Sequence, residues 1–240
     1  MLEIKSLNEG KTVVILQSNY LPWKGYFDLA NDADIFVFYD TVKYTKNDWR
    51  NRNILYTKNG KQWLTVPIAG SAVKQMINEV TLTNDKWQQE HYRSMYYGYK
   101  SAPYFTDLDE FINSLYLERS WTNLSELNQS LIKEISKRVG SKTEFVKSED
   151  IAVEGDRINR LIEILKKLNA TKYISGPAAK DYLAGSEHIF ADNGIELSYK
   201  DYSGYKEYKQ LNTPFEHGVS IVDVIANVGW QNMPEFIWKR

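Results

Sequence analysis

Short runs of β-branched and aromatic residues alternate with longer amphipathic segments along most of the chain. Residues 12–16 (TVVIL) and 35–39 (IFVFY) have the apolar composition of buried strands. Residues 26–33 between them have the length of a short helix. A strand, a helix and a second buried strand are typical of a parallel pair joined by a right-handed crossover. The pattern therefore predicts the opening of a parallel sheet.

The same alternation returns in the last third of the chain. Strands are predicted at residues 144–147, 172–175 and 196–199. Helices are predicted at residues 156–168, 178–183 and 220–228. These segments would extend the opening strands into a larger sheet.

The middle of the chain interrupts the alternation. Asn59-Gly60 lies between two strand-like runs and favours a hairpin, because both residues tolerate positive φ. Residues 84–100 and 123–139 then have helical patterns. We therefore predict an α/β fold with a mostly parallel Rossmann-like sheet, a β-hairpin and an inserted helical segment. The domain would span residues 1–240, with the insert at about 84–140.

The numbers of acidic and basic residues limit the kinds of partner that we expect. The chain has 30 lysines and arginines against 31 aspartates and glutamates, a formal net charge of -1. A neutral balance argues against nucleic acid as a partner, so any anion would be held by a local cluster of cations. Cysteine is absent, which excludes disulfides and cysteine-ligated metals. Apolar runs are strand-sized and no signal peptide is evident, so we expect a cytoplasmic protein without membrane insertion.

The polar turn after the first strand is the first candidate site. Ligands bind at the carboxyl ends of strands in open α/β sheets, and Gln17, Asn19 and Tyr20 would supply donors and acceptors there. Gly25 would let the backbone approach a ligand closely. An equally consistent reading is a crossover turn whose polar residues only cap the following helix.

A basic, aromatic loop after the second strand is the second candidate. Lys46, Arg50 and Arg52 would hold phosphate, and Trp49 or Tyr44 would stack on a base or sugar. The alternative is a solvated basic loop.

Two further segments have binding chemistry. Ser175 and Gly176 lie where a strand turns into a helix, so their backbone N–H groups suit an anion. Tyr205 and Gln210 belong to an aromatic and polar run that would wall a sugar or base pocket. A structural cap and a surface edge are the respective alternatives.

Catalytic candidates are few. Asp40 follows the second strand, and His217 precedes a predicted helix; either would serve as a general base, and Tyr44 is a third candidate. The histidines lack metal-ligand spacing, so we predict no protein metal site. Mg²⁺ accompanying a nucleotide remains compatible with a single carboxylate.

In these motifs the chain resembles the WbqC-like protein family. The matching segments are 17–27 (QSNYLPWKGYF), 40–44 (DTVKY), 49–53 (WRNRN), 63–67 (WLTVP), 173–176 (YISG), 205–210 (YKEYKQ) with Phe215, and 220–223 (SIVD). The resemblance spans nearly the whole chain. It implies a cytoplasmic role in bacterial O-antigen or other surface-polysaccharide (lipopolysaccharide) biosynthesis.

A weaker similarity, at the level of fold, links the opening segment to nucleotidyltransferase-like folds such as pantothenate synthetase. Their H-x-G-H motif is replaced here by residues 23–26 (WKGY), which contain neither histidine. The departure argues against adenylyl transfer and leaves nucleotide binding open.

Two functional hypotheses follow from the resemblance and the candidate residues. The first is a transferase that binds a nucleotide or nucleotide-activated amino sugar and transfers an acyl or aminoacyl group. The second is a non-catalytic scaffold of the same pathway that binds carbohydrate or a protein partner. A homo-oligomer is compatible with either hypothesis.

Overall fold

Parallel strands form the centre of the molecule. The computed structural model describes residues 10–70, 72–83, 86–155 and 157–238. The strands are β1 (Lys11–Leu16), β2 (Ile35–Phe38), β3 (Arg52–Thr57), β4 (Gly60–Thr65), β5 (Glu144–Lys147), β6 (Ala170–Ser175) and β7 (Glu196–Tyr199). Five of them form one parallel sheet in the order β5-β2-β1-β6-β7, and β3 pairs with β4 as an antiparallel hairpin. The predicted fold class is confirmed.

Helices cover both faces of the sheet. They are α1 (Lys24–Asn31), α2 (Lys86–Tyr99), α3 (Phe105–Tyr116), α4 (Leu124–Arg138), α5 (Arg157–Lys167), α6 (Ala179–Leu183), α7 (Glu187–Asp192), α8 (Ile221–Val228) and α9 (Met233–Ile237). One buried apolar cluster joins α1–α4, α8 and α9 to one face of the sheet and to the hairpin. A second cluster joins α5–α7 to the opposite face. None of the described helices is both long and apolar enough to cross a membrane.

Strand order creates a switch point between β1 and β6. From β1 the chain builds outward through β2 and β5, and then crosses back to place β6 and β7 on the other side of β1. The connections that leave β1 and β6 therefore run to opposite faces, and a crevice opens between the carboxyl ends of these two strands. This crevice is where an open α/β sheet usually binds its ligand.

The structure refines several predicted elements. The hairpin closes around Lys58 and Asn59, and Gly60 has φ of +96° at the first position of β4. Helix α3 fills the interval between the two predicted helices of the 84–140 segment. Residues 76–82 contain a short 3-10 helix at Ile77–Glu79 with isolated bridges on either side of it. The predicted first residues of α2 and α5 lie outside the described residues.

Asp40 anchors the loops at this edge of the sheet to α4. Its side chain is fully buried and accepts hydrogen bonds from the Ser18 backbone N–H (2.8 Å) and from Gln129 Nε2 (2.9 Å). The Ser125 hydroxyl donates a third hydrogen bond. A buried carboxylate requires such partners, because removing it from water is costly. Asp40 therefore fixes the turn after β1 against the helical layer.

Replacing Asp40 with asparagine should lower the stability of the fold. The new amide group would face donors that now meet a carboxylate, and we expect a loss of about 2–3 kcal/mol in the free energy of unfolding. Urea denaturation of Asp40→Asn measures the loss, with the exposed Asp181→Asn as the matched control. Equal unfolding midpoints for the two variants would contradict the anchoring role.

Candidate functional site

A cavity of about 460 Å³ opens at the carboxyl ends of β1, β2 and β6. We call it the basic cavity. Its polar and charged lining residues include Gln17, Tyr39, Lys43, Asp48, Arg50, Arg157, Arg160, Tyr173 and Tyr182. Four of these side chains are cationic and one is acidic, in a chain whose overall charge is nearly neutral. The basic cavity is therefore a local positive site of the kind that attracts an anion.

Arg50 forms the wall between β1 and the loop after β2. Its Nη1 donates to Asn19 Oδ1 (2.9 Å) and its Nη2 to Gln17 Oε1 (3.0 Å). Asp48 Oδ1 lies 3.6 Å from Nη1. The Nε of Arg50 is buried and has no acceptor among the described residues. These contacts fix the guanidinium beside the cavity and leave one of its donors unsatisfied.

Arg157 and Arg160 enter the cavity from the first turn of α5. Their spacing of three residues places both side chains on one face of the helix. Arg157 lies over the Tyr182 ring, 3.9 Å from its centroid. Burial raises the pKa of Tyr39, and Arg160 beside it opposes that rise. The buried Nε of Arg160 also has no acceptor among the described residues.

A second, smaller cavity lies beside the basic cavity. We call it the aromatic groove; its volume is about 240 Å³, and its lining residues include Asn19, Pro22, Trp23, Trp49, Asn53 and Gly218. Trp49 and Arg50 are consecutive, so this segment of the loop separates the two cavities. Arg50 also joins them through its hydrogen bonds to Gln17 and Asn19.

The Trp23 indole occupies the space above Gly25. A Cβ atom at Gly25 would lie 2.3 Å from the Trp23 ring, so the glycine lets the indole fold back over the start of α1. We expected Gly25 to admit a ligand to the backbone. The structure corrects that expectation, because an indole occupies the position.

A buried lysine, next in sequence to the groove residue Trp23, interacts electrostatically with a buried carboxylate. The Lys24 ammonium lies 5.0 Å from the Tyr205 ring centroid and 5.3 Å from that of Phe215. Burial lowers the pKa of Lys24 to about 8, and the charge of Asp223 opposes that shift. Burial raises the pKa of Asp223 to about 6, against hydrogen bonds that it accepts from Tyr208 and other donors.

Four of the expected site residues line the two cavities. Gln17 and Arg50 line the basic cavity, and Asn19 and Trp49 line the aromatic groove. The two candidate loops therefore meet at one edge of the sheet, as their positions after β1 and β2 indicated.

Several other expected residues have structural contacts. The Tyr20 hydroxyl is fully buried between His91 Nδ1 (2.8 Å) and the Tyr116 hydroxyl. The Tyr44 hydroxyl is buried and donates to Asn51 Oδ1 (2.8 Å). Asp40 is equally buried, as described above. None of these three side chains is among the described residues that line either cavity, so contact with a substrate does not fit them.

The remaining loop cations point elsewhere. Arg52 lies over the Trp63 ring, 4.4 Å from its centroid, and donates to the Asn47 carbonyl. Lys46 is exposed. Neither is among the described residues that line the basic cavity. Arg157 and Arg160 line the cavity in which Arg52 and Lys46 were expected.

The expected residues of the last third are near the site without lining it. Ser175 ends β6 and is buried, while Gly176 opens the turn before α6. Tyr205 donates to Asp28 Oδ2 (2.6 Å), and Gln210 Nε2 donates to Asp223 Oδ2 (2.8 Å). His217 is exposed and adjoins Gly218 at the groove, and burial and Lys24 lower its pKa.

Sequence reasoning missed part of the basic cavity. Arg157 and Arg160 are the main omissions, and the arginine pair at i and i+3 at the start of an amphipathic helix was the available signal. Tyr39, Lys43 and Asp48 lay in or beside the predicted loop without being singled out.

Comparison with known proteins identifies the family. The model of the WbqC-like protein family matches residues 17–235. This chain belongs to the WbqC-like protein family. A relative from Mycobacterium tuberculosis (strain ATCC 25618 / H37Rv), "Uncharacterized protein Rv1507c", is 40% identical over 220 residues, which cover 91% of this chain and 94% of the relative. No solved structure matches the chain. The matched range contains the polar and charged lining residues of both cavities and confirms the resemblance seen in the sequence.

The ionisation of Asp223 should make the free energy of unfolding depend on pH, with greater stability at low pH. The pKa of Asp223 is raised from 3.8 to about 6 in the folded state, so the folded protein holds this proton more tightly than the unfolded chain. The stability that Asp223 contributes is therefore present below pH 3.8 and is lost as the pH rises to about 6.

Thermal unfolding of wild type and Asp223→Asn from pH 3.5 to 7.5 measures this effect. We expect the advantage of wild type to shrink between about pH 4 and 6 and to stay constant above that range. An advantage that grows over the same interval would mean that the ionised carboxylate is the stabilising form.

Proposed function

We propose that this WbqC-like protein is a transferase of bacterial surface-polysaccharide biosynthesis. It binds a nucleotide or a nucleotide-activated amino sugar in the basic cavity and transfers an acyl or aminoacyl group. The supporting observation is the set of four cations around a cavity at the switch point of a parallel sheet. This combination favours a phosphorylated ligand of low molecular weight.

The size and lining of the basic cavity support this ligand class. Its volume of about 460 Å³ lies within the ~300–1,000 Å³ usual for sites that bind small molecules. Arginine binds phosphate through two parallel hydrogen bonds, and Arg50, Arg157 and Arg160 all line this cavity. The rings of Tyr39 and Tyr182 supply aromatic surface for a base.

Asp48 replaces Asp40 as the proposed general base. It is the one carboxylate among the described residues that line the basic cavity. Thr45 Oγ1 (2.7 Å) and the Trp49 backbone N–H (2.7 Å) donate to its two oxygens and fix its orientation. In this amide formation the sugar amine attacks the activated carbonyl of an acyl donor, and the bond between that carbonyl and the donor's carrier (the thiolate of CoA or a nucleotide phosphate) breaks as the carrier leaves. The amine loses a proton in the same step, and a carboxylate at the cavity can accept it. Mg²⁺ arriving with a nucleotide would be held by the substrate phosphates and water.

A second candidate function has its own supporting observation. Trp49 and Trp63 stack with centroids 5.7 Å apart, and 43% and 48% of their surfaces are exposed. An exposed aromatic pair suits a non-catalytic protein that binds carbohydrate or a partner of the same pathway. Turnover with an activated donor separates this alternative from the transferase.

Removing a cation of the basic cavity should weaken nucleotide binding. Calorimetry of wild type, Arg160→Gln and Arg52→Gln with ATP, CoA and UDP-, dTDP- and GDP-sugars measures the effect. We expect Arg160→Gln to lose about tenfold or more in affinity, the equivalent of one charge-assisted hydrogen bond. Arg52→Gln removes the same charge from a residue outside the cavity and should bind like wild type. Equal losses in both variants would contradict the assignment.

Replacing Asp48 should separate binding from chemistry. Asp48→Asn keeps the size of the side chain but no longer accepts a proton, so turnover should fall about 100-fold or more. Nucleotide affinity should change little. Mass spectrometry of the amino-sugar product follows turnover, with Asp181→Asn as the control for a lost carboxylate. Undiminished turnover in Asp48→Asn would exclude it as the base.

A further inference from the structure

We infer that the aromatic groove is a second binding site, separate from the basic cavity, and that its ligand is a neutral pyranose ring. The inference deepens the proposed function, on which it rests for its place in glycan synthesis. The binding itself is tested without a nucleotide.

The lining of the groove selects against a charged ligand. Pro22, Trp23 and Trp49 supply apolar surface, and no charged side chain is among the described residues that line it. The neighbouring basic cavity, in contrast, contains four cations. Phosphate or carboxylate would therefore favour the basic cavity, and a neutral group would favour the groove.

The size of the groove selects a single ring. Its volume of about 240 Å³ is below the ~300–1,000 Å³ usual for drug-sized ligands. A whole nucleotide exceeds such a space, whereas one sugar ring is compact. The face of a pyranose that carries axial C–H groups is apolar and packs against an indole, and its hydroxyls need polar partners at the edge.

Asn19 provides that polar partner. Its Oδ1 accepts the hydrogen bond from Arg50 Nη1 (2.9 Å), which fixes the orientation of the amide. Its Nδ2 has no acceptor in the part of the chain that the structure describes and can donate to a sugar hydroxyl. The amide of Asn53, by contrast, donates to the Leu21 carbonyl (2.8 Å) and shapes the wall.

Both indoles are held in place before any ligand binds. Trp49 stacks on Trp63, and its backbone carbonyl accepts from the Tyr20 N–H (2.9 Å). Trp23 packs edge-on against Tyr202, with ring centroids 4.9 Å apart, and lies over Gly25. Rings that are already ordered lose little conformational entropy on binding. The groove is thus a preorganised aromatic site.

Saturation-transfer NMR with neutral methyl glycosides tests the inference. The probes are methyl β-glucoside and methyl N-acetyl-α-glucosaminide at millimolar concentration, without nucleotide. Trp49→Ala removes one wall. Gly218→Leu fills the groove from a position where an added Cβ atom meets nothing within 4 Å, so folding should be preserved. Thermal unfolding of each variant verifies that it is folded.

Two variants serve as controls. Tyr97→Ala removes an aromatic residue that is 62% exposed and lies outside the groove. Arg160→Gln alters only the basic cavity. We expect wild type and both controls to transfer saturation to the ring protons of at least one glycoside, and Trp49→Ala and Gly218→Leu to lose most of that signal.

Three results would overturn the inference. They are no transfer to either glycoside in wild type, transfer that survives both groove variants, and transfer that is lost in Arg160→Gln but kept in Trp49→Ala. A shift of oligomeric state in Trp49→Ala without sugar binding would assign the groove to a protein interface instead. Because nucleotide is absent, the proposed function can fail while this binding stands, and the reverse also holds.

Discussion

The position of β1 in the parallel sheet is the constraint on which the site depends. β1 lies between β2 and β6, and the chain leaves these strands toward opposite faces. The segment after β1 must therefore pass through the crevice where the layers separate, and the loop after β2 ends beside it. The Tyr20 backbone N–H donates to the Trp49 carbonyl (2.9 Å), so the two loops are joined directly. Arg50 strengthens this junction through its hydrogen bonds to Gln17 and Asn19.

This junction divides the crevice into two chemical environments. On one side, the cations of α5 and of the loop after β2 surround the basic cavity. On the other side, indoles and amides form the neutral aromatic groove. Asp40 stabilises this junction, because its buried carboxylate links the turn after β1 to α4. The transferase that we propose needs separate places for an activated, charged substrate and a second group, and the two cavities are our candidates for them.

Local signals in the sequence were sufficient to predict most helices and strands. They also predicted part of the wall of the basic cavity. Asn59-Gly60 predicted the hairpin, since its backbone preference is local. Gln17 and Arg50 could be predicted to meet because both follow adjacent parallel strands. Arg52 could not be assigned, since its contact with Trp63 depends on the register in which Arg52 pairs with Thr65 and Ile54 with Trp63. The chain has 17 tyrosines, and several of them are buried with a hydrogen-bonded hydroxyl, among them Tyr20, Tyr44 and Tyr205.

Long-range packing decided the rest. Arg157 and Arg160 come from a helix more than 100 residues away from Arg50 in sequence, and only the docking of α5 onto the sheet brings them to the cavity. The position of Asp40 at the end of a strand suggested a general base, but α4 covers its side chain and supplies two of its three hydrogen-bond donors. Burial by a distant helix is not visible in the residues around Asp40.

The most direct test of the account is a crystal structure of the protein with the nucleotide that binds most tightly in calorimetry. We expect the phosphate groups to lie within hydrogen-bonding distance of Arg50, Arg157 or Arg160 in the basic cavity. Phosphates bound at another surface, with these arginines unchanged, would contradict the assignment of the site.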